Sequence, residues 1–157
     1  MLGLERTSSE LLDIEVSIIN SDTFFNKISK DKDFFSSKEI LEEIKQSNNL
    51  GAERFFIRDN MEYIGILEYL LKNPSDGCAW LGLLLIDKKY QSKGYGNKVL
   101  NLFYGIMKEK GVDRFRIGVI AENGPAHKFW KKNGFEYVKS TINQDKKEIV
   151  VYEKAII

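Results

Sequence analysis

Residues 80–98 decide the fold, and they read WLGLLLIDKKYQSKGYGNK. The first seven residues are continuously apolar, which is typical of a central strand that is buried on both faces. The last residues are rich in glycine and lysine and lead into an amphipathic stretch from about 94 to 110. Apolar residues recur there at helical spacing. The residues expected to face the core are Val99, Leu100, Leu102, Phe103 and Ile106.

The loop between this strand and this helix has the features of an anion site. A helix N-terminus exposes backbone N–H groups at the positive end of its dipole. Gly94 and Gly96 lack a Cβ atom, which leaves room for phosphate oxygens, and Lys93 and Lys98 add positive charge. The dinucleotide pattern G-x-G-x-x-G would need glycine at Val99, and the Walker pattern is absent. The loop therefore predicts a phosphate ligand of another kind.

Two segments of the chain together resemble the GNAT superfamily of N-acetyltransferases. Residues 91–96 match its pyrophosphate loop, Q/R-x-x-G-x-G/A, and residues 84–86 stand where its strand pairs with the pantetheine arm. A second match follows downstream, at Asn123, Ala126, Phe129, Trp130, Lys132, Gly134 and Phe135. The resemblance covers about residues 80–137. Short glycine patterns recur by chance, but two segments in this order, with a strand between them, are a specific signal.

This resemblance implies an enzyme that moves an acetyl group from acetyl-CoA to an amine. It implies a mixed α/β fold, with a central, mostly antiparallel twisted sheet of six to seven strands and about four flanking helices. Acetyl-CoA is the expected co-substrate, and no metal is expected. The residues implied to bind the cofactor are Leu84, Leu85, Ile86, Gln91, Ser92, Lys93, Gly94, Tyr95, Gly96, Asn97, Asn123, Ala126, Phe129 and Lys132.

The catalytic groups are less well defined by the pattern. The resemblance places Trp130 beside Glu68 as the second catalytic-site candidate, as an aromatic wall next to the CoA thiol. Many family members have a tyrosine acid at this position, and an indole cannot supply that proton. Thiols have a pKa near ~8.5, so the CoA thiolate can leave largely unprotonated. Glu68, on the preceding strand, is the first candidate for a base, although it could also be a plain exposed strand residue. Asp76 is a weaker alternative, and Tyr104 and Tyr137 are other phenols outside the motif position.

The remaining pattern predicts helices near 11–19 and 37–47, a hairpin from residues 54–58 and 63–71, a strand at 115–120, a helix at 125–132 and a last hairpin from 135–142 and 148–152. The acceptor would be selected by residues 8–50 and the last hairpin. The pair Phe24 and Phe25 could line a pocket or simply pack. His127, the only histidine, is expected at the surface rather than in catalysis.

Composition narrows the possible partners. The 157 residues fit one domain, 1–157, and a formal net charge of +1 gives no global case for nucleic acid or an anionic membrane. The lone Cys78 suits a reducing compartment, and no signal peptide or spanning stretch is visible, so a cytoplasmic monomer or homodimer is expected. The resemblance implies an amine acceptor, expected to be a small molecule or a peptide N-terminus. An acyl-CoA sensor or partner-binding module that has lost catalysis remains the alternative.

Overall fold

A computed structural model describes residues 1–156. Its strands are β1 (Leu2–Arg6), β2 (Glu53–Asp59), β3 (Glu62–Leu70), β4 (Trp80–Ile86), β5 (Arg114–Ile120), β6 (Glu136–Ile142) and β7 (Glu148–Ala155). They form one seven-stranded sheet in the order β1-β2-β3-β4-β5-β7-β6. All neighbours are antiparallel except β4 and β5, which are parallel. The mixed, mostly antiparallel α/β fold expected from the sequence is confirmed.

Five α-helices cover the sheet: α1 (Leu12–Asn20), α2 (Thr23–Lys30), α3 (Ser37–Asn49), α4 (Tyr95–Glu109) and α5 (Gly124–Lys132). Side chains fix where three of them begin. Asp22 accepts a hydrogen bond from the Phe25 N–H, Ser36 accepts one from Glu39 N–H in a capping box, and Asn123 accepts one from Ala126 N–H. These contacts satisfy backbone donors that have no partner within the helix.

Each face of the sheet carries its own core. Phe103 and Met107 of α4 pack with Phe115 and Ile117 of β5 on one face. On the other face, Ile18 of α1 and Ile40 of α3 pack on strand residues, which are Phe56, Ile66 and Leu85. The chain of edge-to-face contacts between Phe103, Phe115 and Phe135 has ring centroids 5.0 and 5.4 Å apart. The sheet is therefore held between two helical layers.

The sheet opens between β4 and β5. Only Trp80 of β4 and Arg116 of β5 are paired, and Arg116 N–H donates to the Ala79 carbonyl at 2.9 Å. Beyond this point the two parallel strands separate toward their carboxyl ends. Ligands of open α/β sheets bind in crevices of this kind, outside the carboxyl ends of strands. The opening places the loop after β4 beside the start of α5.

A β-bulge interrupts β4 at Gly82. Glu68 of β3 pairs with Leu83, and Tyr69 pairs with Leu81, so Gly82 is the extra residue on β4. A bulged residue is left out of the ladder and re-aims the backbone around it. The bulge lies on the strand that borders the opening, and Gly82 is exposed.

Several expectations need correction. Strand β1 and helix α2 were not predicted, and residues 1–156 contain five α-helices where about four were expected. Strand β4 is central, but it is not buried on both faces, because its separation from β5 leaves Leu83 and Leu84 half-buried. In α4, Met107 is buried in place of Leu102 and Ile106, which are half-buried. The other helices and both hairpins lie where the pattern predicted them.

Candidate active site

A cavity of about 290 Å³ lies at the carboxyl end of β4. It is lined by the end of that strand, the loop that follows, the first turn of α4 and one ring from α5. The lining residues are Ile86, Tyr90, Gln91, Ser92, Gly94, Tyr95, Gly96, Asn97 and Phe129. Of the fourteen residues predicted to bind the cofactor, eight line this cavity, namely Ile86, Gln91, Ser92, Gly94, Tyr95, Gly96, Asn97 and Phe129.

The loop reaches α4 through two left-handed residues. Ser92 has φ 63° and Gly94 has φ 83°, and α4 begins at Tyr95. No side chain caps the first turn of α4. The backbone N–H groups of this turn therefore have no side-chain acceptor at the end of the helix that borders the cavity. A Cβ added at Gly94 would meet nothing within 4 Å. The loop therefore combines backbone donors, a helix dipole and open space, which suit a phosphate group.

Gly96 has a different structural reason from Gly94. A Cβ at position 96 would lie 3.2 and 3.3 Å from two carbons of the Phe129 ring. The missing side chain thus lets α5 pack closely on the start of α4. The space beside Gly94 is open, as room for a phosphate requires, whereas Gly96 lines the same cavity and its missing Cβ also serves helix packing.

Basic and aromatic side chains form the rim of the loop. Lys89 and Lys93 lie over the Tyr90 ring, at 5.4 and 5.9 Å from its centroid, and Lys98 lies 5.6 Å from the Tyr95 centroid. Cation–π contacts of this kind keep ammonium groups near the loop. Both tyrosine hydroxyl groups donate to carboxylates of the β2–β3 hairpin. The Tyr90 hydroxyl lies 3.1 Å from Glu62 Oε2, and the Tyr95 hydroxyl lies 2.6 Å from Asp59 Oδ2. The hydrogen bond from Tyr95 holds the pKa of Asp59 below its usual value.

The side chain of Gln91 is held in place by Asp22, a residue that belongs to no motif in the sequence. Its Nε2 donates to Asp22 Oδ2 at 2.9 Å and to the Ile86 carbonyl at 2.8 Å. Beside it, the Lys88 N–H donates to Ser21 Oγ at 3.0 Å. The junction between α1 and α2 therefore supports the loop. Asp22 is 69 positions away from Gln91, and no local pattern could have joined them.

The other predicted cofactor residues lie around the cavity rather than on its wall. Leu85 is buried on the opposite face of the sheet, in the core of α1 and α3, whereas Leu84 packs on the α4 side. Asn123 is buried, and its Oδ1 caps α5, which leaves its amide nitrogen for any ligand. Lys93, Ala126 and Lys132 do not line the cavity, and Lys132 is exposed in the last turn of α5.

Trp130, the expected aromatic neighbour of the thiol, packs within an aromatic row. Its ring lies edge-on to Phe129 and Phe135, with both centroids at 4.9 Å. Phe129 also lines the cavity, so the row runs from the cavity wall into the α4 core. The indole therefore does not line the cavity itself but packs behind the Phe129 ring, which does.

Glu68, the candidate base, takes part in a charged network on the α1 and α3 face. Its Oε1 accepts from Arg54 Nη1 at 2.9 Å, and its Oε2 accepts from Ser47 Oγ at 3.2 Å. The side chain is 13% exposed, so it is not an exposed strand residue. A Cβ on Gly82 would lie 3.7 Å from Glu68 Oε2, so the carboxylate lies against the bulge of β4. It does not line the cavity of the glycine loop.

The alternative candidates have separate partners. Asp76 accepts from the Trp80 indole N–H at 2.9 Å, and Tyr137 is exposed on β6. Burial raises the pKa of Tyr104 to about 12. His127 is half-buried rather than on the surface: its Nδ1 lies 2.6 Å from the Tyr152 hydroxyl, and its Nε2 lies 3.0 Å from the Ala121 carbonyl. A carbonyl only accepts, so Nε2 carries the proton.

Across residues 1–156, no three His, Cys, Asp or Glu side chains converge as metal ligands. Over the same range, no helix combines the length and apolar character that crossing a bilayer requires.

Two solved structures have the same fold at low identity. The acetyltransferase from Salmonella typhimurium that modifies the N-terminal serine of 50S ribosomal subunit protein L7/L12 matches with a TM-score of 0.80 and 17% identity, over 99% of this chain and 95% of that chain. The spermidine N-acetyltransferase from Vibrio cholerae, solved with CoA and spermine, matches with a TM-score of 0.76 and 17% identity, over 98% of this chain and 95% of that chain.

Sequence comparison gives the family. A curated relative, the N-acetyltransferase 9-like protein of Schizosaccharomyces pombe, is 28% identical over 122 residues, or 64% of this chain. The chain spans 56% of the length of that relative. The model of the acetyltransferase (GNAT) family matches residues 19–135, which include the glycine loop, the bulged strand and α5. The chain therefore belongs to the GNAT acetyltransferase family, enzymes that transfer acyl groups from CoA.

Proposed function

We propose that this protein transfers an acetyl group from acetyl-CoA to a primary amine by direct attack of the amine on the thioester. The observation that carries the proposal is the cavity at the open end of β4, where the left-handed glycine loop meets the first turn of α4. The solved spermidine N-acetyltransferase contains CoA and an amine, which supports the same pair of ligands here.

In this proposal the pyrophosphate of CoA accepts hydrogen bonds from the loop and from the first turn of α4. Lys89, Lys93 and Lys98 supply positive charge at the rim. The pantetheine arm then follows the gap between β4 and β5, beside residues 84–86, and passes the buried Asn123. Lys132, exposed at the end of α5, is available to the outer phosphate groups.

Acetyl transfer forms one C–N bond and breaks the C–S bond of the thioester. Negative charge develops on the carbonyl oxygen, and a preorganised backbone N–H is an effective donor for it. The bulge at Gly82 supports this step, because it interrupts the β4 ladder beside the opening and leaves the bulged residue unpaired. The CoA thiolate departs, and the amine loses one proton.

The base is Glu68 in this proposal, and the acid is not a protein side chain. Glu68 Oε2 lies against Gly82, on the strand that would carry the thioester. Trp130 cannot donate a proton, and its neighbours Phe129 and Phe135 cannot either. Burial raises the pKa of Tyr104 to about 12, which makes that phenol a poor acid at neutral pH. The thiolate is protonated by solvent.

The acceptor is a small-molecule amine or the N-terminus of a peptide. The two solved structures named above illustrate these classes, one by spermine and the other by an N-terminal serine. Near the expected acceptor side, α2 is joined to the β6–β7 turn by two ion pairs. Lys30 Nζ donates to Asp145 at 2.6 Å, and Lys147 Nζ donates to Asp31 at 2.5 Å.

Residues 1–157 act as one acetyltransferase domain, in the cytoplasm, as a monomer or homodimer. The formal net charge of +1 supports a protein without nucleic-acid or membrane partners.

A second candidate function is an acyl-CoA sensor or partner-binding module of the same fold. It is favoured by one observation, namely that both expected catalytic side chains have structural partners. Glu68 is bonded to Arg54 and Ser47, and Trp130 is packed between two phenylalanines.

The two functions separate in a single screen. Acetyl-CoA and longer acyl-CoAs are incubated with polyamines, amino acids and peptide N-termini, and release of the CoA thiol is measured. Amine-dependent release at a rate well above the uncatalysed reaction is expected. CoA binding without release for any amine would support the sensor, and no CoA binding would overturn both.

A further inference from the structure

Asp22 lies at the junction of α1 and α2 and is 9% exposed. Its two carboxylate oxygens have different partners. Oδ1 accepts from the Phe25 N–H at 3.1 Å and caps α2. Oδ2 accepts from Gln91 Nε2 at 2.9 Å. One buried side chain therefore joins the beginning of a helix to the first residue of the glycine loop.

The contact determines where the Gln91 side chain can be. Its Nε2 has two hydrogens, and the second is donated to the Ile86 carbonyl at 2.8 Å. Both Nε2 hydrogens are thus donated to protein oxygens, near the end of β4. The residues that follow, Ser92 and Gly94, have positive φ angles of 63° and 83°. A non-glycine residue such as Ser92 keeps such a conformation only when its surroundings hold it there.

We propose that Asp22 is a positioning residue for cofactor binding, which it serves through Gln91. The inference rests on the proposed function, in which the loop holds the CoA pyrophosphate. Asp22 and the Ile86 carbonyl fix the Gln91 amide, and the fixed Gln91 holds residues 92–94 in the conformation that presents their N–H groups. Asp22 itself does not line the cavity.

Charge makes this inference testable in sign as well as in size. A carboxylate near a polyphosphate repels it, so removal of Asp22 would tighten CoA binding if charge were its main effect. Removal of a positioning residue would weaken binding instead. A change from aspartate to a neutral residue therefore gives opposite results for the two explanations.

The test uses Asp22→Ser, because serine is as good an N-cap residue as aspartate but has one oxygen instead of two. We expect a slightly lower melting temperature without ligand, because the hydrogen bond to Gln91 is lost, and CoA binding about tenfold weaker by calorimetry, the size of a lost hydrogen bond to a charged group. The KM for acetyl-CoA should rise similarly, with little change in the KM for the amine. Gln91→Met keeps the side-chain length but removes the hydrogen bonds to both Asp22 and the Ile86 carbonyl, so it should weaken CoA binding at least as much.

Two controls complete the design. Ser36→Ala removes the cap of α3, a helix that does not line the cavity, and should lower the melting temperature without weakening CoA binding. The double variant Asp22→Ser/Gln91→Met should bind CoA no more weakly than Gln91→Met alone, because both changes break one contact. CoA binding by Asp22→Ser that equals or exceeds that of the unchanged protein would overturn the positioning role. Absence of binding by the unchanged protein would overturn the proposed function instead.

Discussion

Gly94 is the residue whose backbone most directly shapes the proposed phosphate site. Its φ of 83° is unfavourable for any residue with a Cβ, and the space beside it is open. We expect Gly94→Val to weaken CoA binding at least tenfold, because the new side chain strains the loop and enters the phosphate space. Calorimetry measures this directly.

Gly111 provides the matched control for that substitution. It has a φ of 76°, also with open space beside it, at the other end of α4. Gly111→Val therefore carries a similar backbone strain away from the loop. It should lower stability but leave CoA binding unchanged, and equal losses of binding in both variants would contradict a local role for Gly94.

Trp130 tests whether an aromatic wall is enough at its position. Trp130→Phe keeps a ring between Phe129 and Phe135, and we expect it to retain most of the activity. Trp130→Ala removes the ring and should destabilise the fold by about 3–5 kcal/mol. Steady-state rates and thermal melts measure the two effects. A loss beyond ~100-fold in a folded, CoA-binding Trp130→Phe would show that the indole acts in catalysis.

Among the elements, those with a strong local pattern were predictable and those held by distant contacts were not. Residues 80–98 identified β4, its loop and α4 from hydropathy and glycine alone. Strand β1 has only five residues, and its pairing partner β2 begins 47 residues after β1 ends. Helix α2 has only eight residues, and the side chain that it buries fully is the polar Asn26 rather than an apolar residue.

The features of the candidate site also fall into those that a local sequence pattern predicts and those that depend on distant contacts. The loop residues carry a motif, so eight of the predicted cofactor residues line one cavity. The separation of β4 from β5 is a property of strand pairing, and no hydropathy pattern distinguishes it from a continuous sheet. The contact between Asp22 and Gln91, like the contact between Glu68 and Arg54, depends on elements that are distant in sequence.

Helix α1 and strands β2 and β3 are joined by the guanidinium of Arg54, which is 3% exposed. It contacts Glu15 at 2.7 Å and Glu68 at 2.9 Å. Removal of one partner from a buried ion pair leaves uncompensated charge. We expect Arg54→Met to lower the free energy of unfolding by about 3–5 kcal/mol at pH 7. Arg6→Met removes an exposed pair, at an arginine that is 67% exposed, and should cost under about 1 kcal/mol.

The loss in free energy of unfolding that Arg54→Met causes should depend on pH. Burial already raises the pKa of Glu15, and Arg54 opposes this rise. Without Arg54 the folded pKa rises further, so the folded variant binds more protons than its unfolded chain above about pH 4.5. Its stability therefore increases as pH falls, and the gap to the unchanged protein narrows from pH 7 to pH 5. Denaturant titrations at pH 7 and pH 5 measure the difference in unfolding free energy between the two proteins. A difference that is the same at both pH values would contradict the role assigned to Arg54.

At the scale of the whole molecule, the sheet consists of two parts with little pairing between them. Strands β1 to β4 form an antiparallel set, β5 to β7 form another, and one residue pair connects them. In the proposed complex CoA fills the gap between these two sets. A ligand that binds only the folded protein stabilises it by mass action, by about 2.7 kcal/mol at a hundredfold excess over Kd.

We therefore expect CoA to raise the melting temperature in a concentration-dependent way, and to protect the backbone amides of β4 and β5 from hydrogen exchange beyond Trp80. Protection should be strongest near Ile86 and Ile120, because the strands separate in that direction. The Gly94→Val variant should show neither effect at the same CoA concentration, whereas Gly111→Val should show both. Protection confined to the glycine loop, with β5 unchanged, would mean that the cofactor arm does not enter the gap, and the path assigned to the pantetheine would then be wrong.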